Sequence, residues 1–212
     1  MIQTFGAENF QLLCDRIAGS DPELRQVIAR YGYPPLWSRP AGFQTLVHII
    51  LEQQVSLASA QAALDKLKGK IGTVNPEKIL LLSEAELKTC YFSRQKANYV
   101  KLLAGAIHSG KIVLEQFCYR PDDRIRKQLK EIKGIGDWTA DIYLLMALQR
   151  TDIFPIGDLA MVSSLKKLKH LPVKTSPTTL LEMASGWRPY RSIATMILWH
   201  HYLEERKISR KQ

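Results

Sequence analysis

Apolar residues recur at helical spacing along almost the whole chain, and helix-start signals follow one another closely, while no segment sustains the alternation of a strand. Phe43, Leu46, Val47 and Ile50 form one such stripe, Leu57, Ala60, Leu64 and Leu67 a second, and Tyr99, Leu102, Leu103 and Ile107 a third. Ser20 to Glu23 and Ser83 to Glu86 have the spacing of capping boxes, and Asn75 before Pro76 marks another start. A helix running from the first box to Gly32 is predicted. The fold class predicted is therefore all-α. Proline-rich interruptions at Tyr31 to Pro40 and Leu171 to Pro177 divide the helices into groups, and no fixed-period repeat points to a solenoid.

Charge narrows the partners. A net charge of +10 over 212 residues favours a polyanion, either nucleic acid or an acidic membrane surface. No apolar run approaches the ~18 residues of a membrane span, and the first 28 residues lack the layout of a secretory signal. The expected location is cytoplasmic, nucleoid-associated in a bacterium or nuclear in a eukaryote. Cys14, Cys90 and Cys118 are widely separated and read as reduced, half-buried packing residues. The five histidines are scattered, and His200 and His201 cannot share a helix face, so no transition-metal site is expected.

The segment KGIGDWTADI, Lys133 to Ile142, concentrates the chemistry. A dinucleotide loop would need a preceding strand, yet Ile125, Leu129 and Ile132 have helical spacing; a Walker loop fails on sequence. What remains is helix, two-glycine turn, helix, with Trp138, Ile142, Leu145 and Leu148 continuing an apolar stripe. Gly134 and Gly136 allow close backbone approach, and the N–H groups opening the second helix suit an anion such as a DNA phosphate. A helix-helix corner with a glycine C-cap satisfies the same letters.

LKEIKGIGDWTADI resembles the helix-hairpin-helix of the base-excision DNA glycosylase superfamily. FPIGD, ending at Asp158, lies where that superfamily has a catalytic aspartate. LEQQVSLASAQA from Leu51, FSRQKANYVKLLAGAI from Phe92 and GWRPYRSIATMILW from Gly186 resemble the branch of DNA-3-methyladenine glycosylase II, the alkyladenine glycosylases, in its compact all-helical form. The resemblance spans residues 40 to 203 and implies a two-lobed helical monomer, with one lobe over 36–118 and a hairpin-containing lobe over 1–35 plus 119–212. The hairpin and Asp158 would meet at a cleft between them.

The resemblance also implies roles. Asp158 would stabilise an oxocarbenium-like transition state or orient water, although an aspartate before LAMVSSLKKL also suits a helix cap. In bifunctional relatives a lysine two residues after the second hairpin glycine attacks the sugar. Here that position holds Trp138, and Lys133 lies on the wrong side of the turn, so hydrolysis without strand cleavage is expected. Trp138 would offer a π face to a cationic base, with Trp199 as a second pocket aromatic; both also suit core packing. Gln53, Gln54 and Ser56 resemble the loop that fills the gap left by a flipped nucleotide, with Gln54 as the wedge; two solvated glutamines near a capped helix start explain the letters equally. Thr139 joins Gly134 and Gly136 as a DNA-contact candidate.

Damaged duplex DNA is thus the expected partner and alkylated purines (3-methyladenine, 7-methylguanine) the expected substrates. Other lesions (uracil, hypoxanthine, oxidised purines) and a non-catalytic DNA-binding module are the alternatives. No cofactor is expected, and a weakly held monovalent cation at the hairpin carbonyls stays open. Three features depart from the family: Asp137 should repel phosphate, Ile142 stands where one subgroup has an aromatic, and TCYF before Ser93 lacks a common glycine. Arg94, Lys96, Lys101, Lys166, Lys167, Lys169, Arg206, Lys207, Arg210 and Lys211 are the basic residues from which phosphate contacts would be drawn.

Overall fold

The computed structural model describes residues 3–209. Its helices are α1 (Phe10–Ser20), α2 (Pro22–Tyr31), α3 (Phe43–Glu52), α4 (Leu57–Ile71), α5 (Pro76–Leu81), α6 (Glu84–Thr89), α7 (Arg94–His108), α8 (Asp122–Lys130), α9 (Asp137–Met146), α10 (Leu159–Leu168), α11 (Pro177–Ser185) and α12 (Arg191–Ser209). A 3-10 helix, Leu114–Tyr119, precedes α8. Among the described residues the β content is one isolated bridge, Thr4 to Arg150. The all-α prediction holds.

Two compact units divide the chain: residues 1–38 with 149–212, and residues 39–148. The sequence predicts a boundary at 118/119, with the hairpin among the termini; the hairpin helices α8 and α9 instead belong to the 39–148 unit. The reason lies in α9, where every residue from Thr139 to Leu145 is buried. A helix apolar on all sides needs neighbours all round. Within its unit α9 packs on α3 and α8, and its buried Tyr143 meets Phe117 edge to face and accepts a hydrogen bond from the Gly42 N–H. Burial pushes the Tyr143 phenol up to about 12.

Helix α3 is held in this unit by a forked ion pair. Arg39 Nη1 and Nη2 donate to Glu52 Oε2 and Oε1 at 2.9 and 2.5 Å, near the helix end where α3 hands the chain to the next loop. The stripe of Phe43, Leu46, Val47 and Ile50 is fully buried, as predicted. Two other stripes shift. Leu57 is 64% exposed at the first position of α4, and Leu102 is exposed because α7 turns Ala97, Val100, Leu103 and Ala104 inward.

The other unit packs α1, α2, α10 and α12 together. At the start of α2 the capping box centred on Ser20 does not form. Ser20 Oγ donates back to Ile17 O at the end of α1, and Asp21 caps α2 by accepting from Leu24 N–H at 3.0 Å. The second oxygen of Asp21 accepts from Lys169 Nζ (2.7 Å) and Trp187 Nε1 (2.8 Å). Burial alone would raise this carboxyl, but these hydrogen bonds and the Lys169 charge together hold it below its usual value. Ser83 and Glu86 do form their capping box, and Asn75 caps α5.

Candidate active site

The hairpin turn uses its two glycines differently. Gly134 has φ +97°, the left-handed region that favours glycine, and a Cβ there would lie 2.0–2.4 Å from three ring carbons of Tyr99. Gly136 has φ −99°, which any residue adopts, and a Cβ there would meet nothing within 4 Å. Folding requires the first glycine, whereas the second leaves an open approach to the start of α9. Helices α2, α4 to α7, α10 and α11 each begin with a side chain accepting a first-turn N–H, whereas α9, like α1, α3 and α8, has no such side-chain bond. Its orphan donors and dipole therefore meet no competing capping side chain.

Two ion pairs close the antiparallel hairpin. Arg126 Nε donates to Asp141 Oδ1 at 2.6 Å, deep in the pair, and Lys130 Nζ donates to Asp137 Oδ1 at 2.5 Å near the turn. The second pair gives Asp137 a structural account. Its carboxylate opens α9, where negative charge suits the dipole, and the lysine ending α8 neutralises it.

Gln53 and Gln54 separate in role. Gln53 Nε2 donates to Gly134 O and to Thr139 Oγ1, both at 2.9 Å, so this side chain is spent inside the protein rather than presented to a ligand. Thr139 is buried, while Gln53 is half-buried with both amide hydrogens engaged within the protein. Gln54 is exposed and left-handed (φ 58°), and Ser56 caps α4 by accepting from Ser59 N–H at 3.1 Å. Trp138 is half-buried at the second position of α9.

In the other unit, Asp158 and Trp199 come together. The turn that follows Phe154 is closed by Asp158 N–H to Pro155 O, and Asp158 caps α10 by accepting from Met161 N–H at 2.9 Å. The same oxygen, Oδ1, accepts from Trp199 Nε1 at 3.0 Å. Trp37 packs edge to face on the Trp199 indole, with ring centroids 6.2 Å apart. Capping and chemistry are compatible here: two donors fix the carboxylate's rotamer. Trp37 was not signalled by the sequence and Tyr99 only as part of a helical stripe, because each acts through a partner distant in the chain.

Several basic residues prove to be internally committed. Lys96 donates to Leu51 O at 2.7 Å, and burial lowers its ammonium from the usual value. Lys169 pairs with Asp21 and Glu23, Lys167 with Glu205, Lys207 with Glu204, Lys166 bonds Val173 O, and Arg206 lies over Tyr202. Arg94 remains exposed and Lys101 half-buried, while Arg210 and Lys211 lie outside the described residues. His200 bonds Tyr31 O and His201 bonds Ser164 Oγ, and both rings lie 6.3 Å from the Tyr31 ring, centroid to centroid. Cys14 and Cys90 are buried free thiols, but Cys118 is exposed rather than half-buried. Burial, helped by Asp15, pushes Cys14 up to about 12. Among the described residues no cluster of three or more His, Cys, Asp or Glu could hold a metal ion, and no helix is long and apolar enough to cross a membrane.

Residues 47–189 match the model of the HhH-GPD superfamily base excision DNA repair protein. The chain belongs to this superfamily. The DNA-3-methyladenine glycosylase of Bacillus subtilis is 29% identical over 86% of this chain and 64% of its own length. DNA-3-methyladenine glycosylase 1 of Schizosaccharomyces pombe is 27% identical over 86% of this chain and 83% of its own. The chain thus spans about two thirds of the Bacillus subtilis relatives. Among solved structures, the Schizosaccharomyces pombe 3-methyladenine DNA glycosylase in complex with abasic DNA superposes with TM-score 0.81 at 25% identity, covering 89% of this chain and 95% of that one. A DNA-3-methyladenine glycosidase from Bacillus halodurans gives 0.77 at 26%, covering 92% and 91%. An 8-oxoguanine glycosylase/lyase of Clostridium acetobutylicum reaches 0.80 at 17%, covering 93% and 71%, and at that identity shows the fold alone.

Proposed function

We propose that the protein is a monofunctional DNA glycosylase that flips alkylated purines, 3-methyladenine and 7-methylguanine, out of duplex DNA and hydrolyses their N-glycosidic bonds. One observation carries this: the Asp158 carboxylate is held by both Met161 N–H and Trp199 Nε1–H, while the position that would supply an amine nucleophile is Trp138. The relatives named as 3-methyladenine glycosylases support the substrate class.

As the glycosidic bond breaks, positive charge grows on the sugar, and a fixed carboxylate beside it stabilises that charge without reorganising. An alkylated purine already carries positive charge and leaves readily, so one carboxylate is enough. The electron-rich face of Trp138 favours such a cationic base over a normal one. Flipping costs a few kcal/mol, less for a damaged base, and Gln54 fills the vacated space. The open backbone at Gly136 and the uncapped start of α9 receive a phosphate. The partner is damaged double-stranded DNA, bound by a monomer.

The test is single-turnover incubation with duplexes carrying one 3-methyladenine, 7-methylguanine, uracil, hypoxanthine or 8-oxoguanine, scored for free base and, without alkali, for strand breaks. The proposal expects release of the two alkylated bases and intact strands. Release confined to uracil or 8-oxoguanine, or strand cleavage without alkali, contradicts it.

A further inference from the structure

The loop between α3 and α4 is tied to the hairpin at a single side chain. Gln53 ends α3 with φ −57° and ψ 121°, directing the chain out of the helix. An amide nitrogen has two hydrogens, and both are used here: one on Gly134 O, in the left-handed corner of the turn, the other on Thr139 Oγ1 in the first turn of α9. The neighbouring residue, Gln54, is exposed and left-handed without being glycine. Such a conformation costs about 1–3 kcal/mol and persists only where surrounding structure imposes it. The surroundings are visible: Gln53 is pinned to the hairpin, Lys96 holds Leu51 O one turn earlier, and Ser56 starts α4 immediately afterwards. Tyr99, its hydroxyl accepting from Gln95 Nε2 at 2.5 Å, lies against Gly134 where a side chain would otherwise project.

We infer that Gln53 is a positioning residue that yokes the Gln54 loop to the hairpin, so that gripping a phosphate at α9 and inserting Gln54 into the duplex are one rigid event. The inference rests on the proposed function for its DNA steps. With the yoke intact, binding energy gained at the phosphate is delivered to the wedge. With it cut, the hairpin still grips, but Gln54 arrives loosely and the base is extruded less often. Gln53 touches neither the base nor the sugar in this account; it acts through Gly134, Thr139 and its neighbour.

The experiment compares Gln53→Ala, the near-isosteric Gln53→Glu, Gln54→Ala and the double variant Gln53→Ala/Gln54→Ala. Each is measured for affinity to an undamaged duplex and for single-turnover excision from the same duplex carrying one 7-methylguanine. Both Gln53 variants should bind undamaged DNA within about twofold of the wild type and excise about tenfold more slowly, the scale of a small misplacement of a working group. Gln54→Ala should add little once Gln53 is gone, because a wedge that is no longer aimed has little left to lose. Independent, multiplying losses overturn the inference, as does a loss of undamaged-DNA affinity matching the loss of excision. If the wild type releases no base from any lesion duplex, the proposed function falls by itself. The yoke is then decided by amide hydrogen exchange in the free protein. Gln53→Ala should accelerate exchange in both residues 53–57 and residues 134–139; acceleration in neither refutes it.

Discussion

Gly134→Ala probes the turn most sharply, because its cost can be divided into two parts. The first is conformational: φ is +97°, and an alanine there costs about 1–3 kcal/mol. The second is steric. The new methyl carbon would stand 2.0, 2.2 and 2.4 Å from Cγ, Cδ2 and Cδ1 of Tyr99, where carbon contacts settle near ~3.5–4 Å. The ring must therefore move by about 1.5 Å, which forfeits its contact with Gln95, about 0.5–1.5 kcal/mol, and takes it off its rotamer for a similar amount. The total is about 2–6 kcal/mol, a large share of the ~5–15 kcal/mol that holds a domain together. Denaturant unfolding of the wild type, Gly134→Ala, Tyr99→Ala and the double variant measures the division. Removing the ring should relieve the steric part, so the double variant should be more stable than the sum of the single losses predicts by about 1–3 kcal/mol. Additivity within about 0.5 kcal/mol would refute the claim that Tyr99 makes Gly134 obligatory.

Other consequences follow from the same contacts. Trp199→Phe keeps an aromatic ring but removes the N–H that holds Asp158; loss of a hydrogen bond to a charged group, about 1.5–3 kcal/mol, should slow single-turnover excision by about 10- to 150-fold while affinity for an abasic-site duplex stays nearly constant. Unchanged excision would show that the indole serves only as a packing surface. Asp137→Asn removes a negative charge at the anion site and releases Lys130, so binding to undamaged duplex should tighten at low salt, with the slope of log affinity against log salt steeper by about 0.9. The exposed ion pair contributes at most about 1 kcal/mol, so thermal stability should fall only slightly. Weaker binding with an unchanged slope would mean that Asp137 itself assists DNA binding.

Local signals were readable from the chain, and long-range ones were not. Asn75 with Pro76, and Ser83 with Glu86, act within one turn and fold as their letters imply. At α2 the neighbouring Asp21 displaces Ser20 as cap, because its carboxylate is stabilised by Lys169 and Trp187, partners 148 and 166 residues away. Gln53 and Gln54 look alike in sequence, yet the first finds Gly134 and Thr139 more than 80 residues on while the second turns outward. Lys96 likewise reads as a surface charge until Leu51 O is placed beside it. The unit boundary was missed for a reason present in the letters: DWTADIYLLM has no polar face broad enough for a surface helix, and a helix buried on all sides belongs with the neighbours that cover it. Asp158 and Trp138 stood out because family spacing marks positions, although spacing could not show that the Trp199 indole donates to Asp158.

The most direct measurement is single-turnover excision from a duplex carrying one 7-methylguanine, by the wild type and by Asp158→Asn at saturating enzyme. Asparagine can still accept the hydrogen bonds of Met161 and Trp199, so the local structure should survive while the negative charge is lost. The account predicts base release by the wild type with the strand left intact, and a fall of about 100-fold or more in the variant, the size expected when a preorganised charge facing the transition state is removed. Equal rates in the two proteins would contradict the central claim that the Asp158 carboxylate carries the hydrolysis.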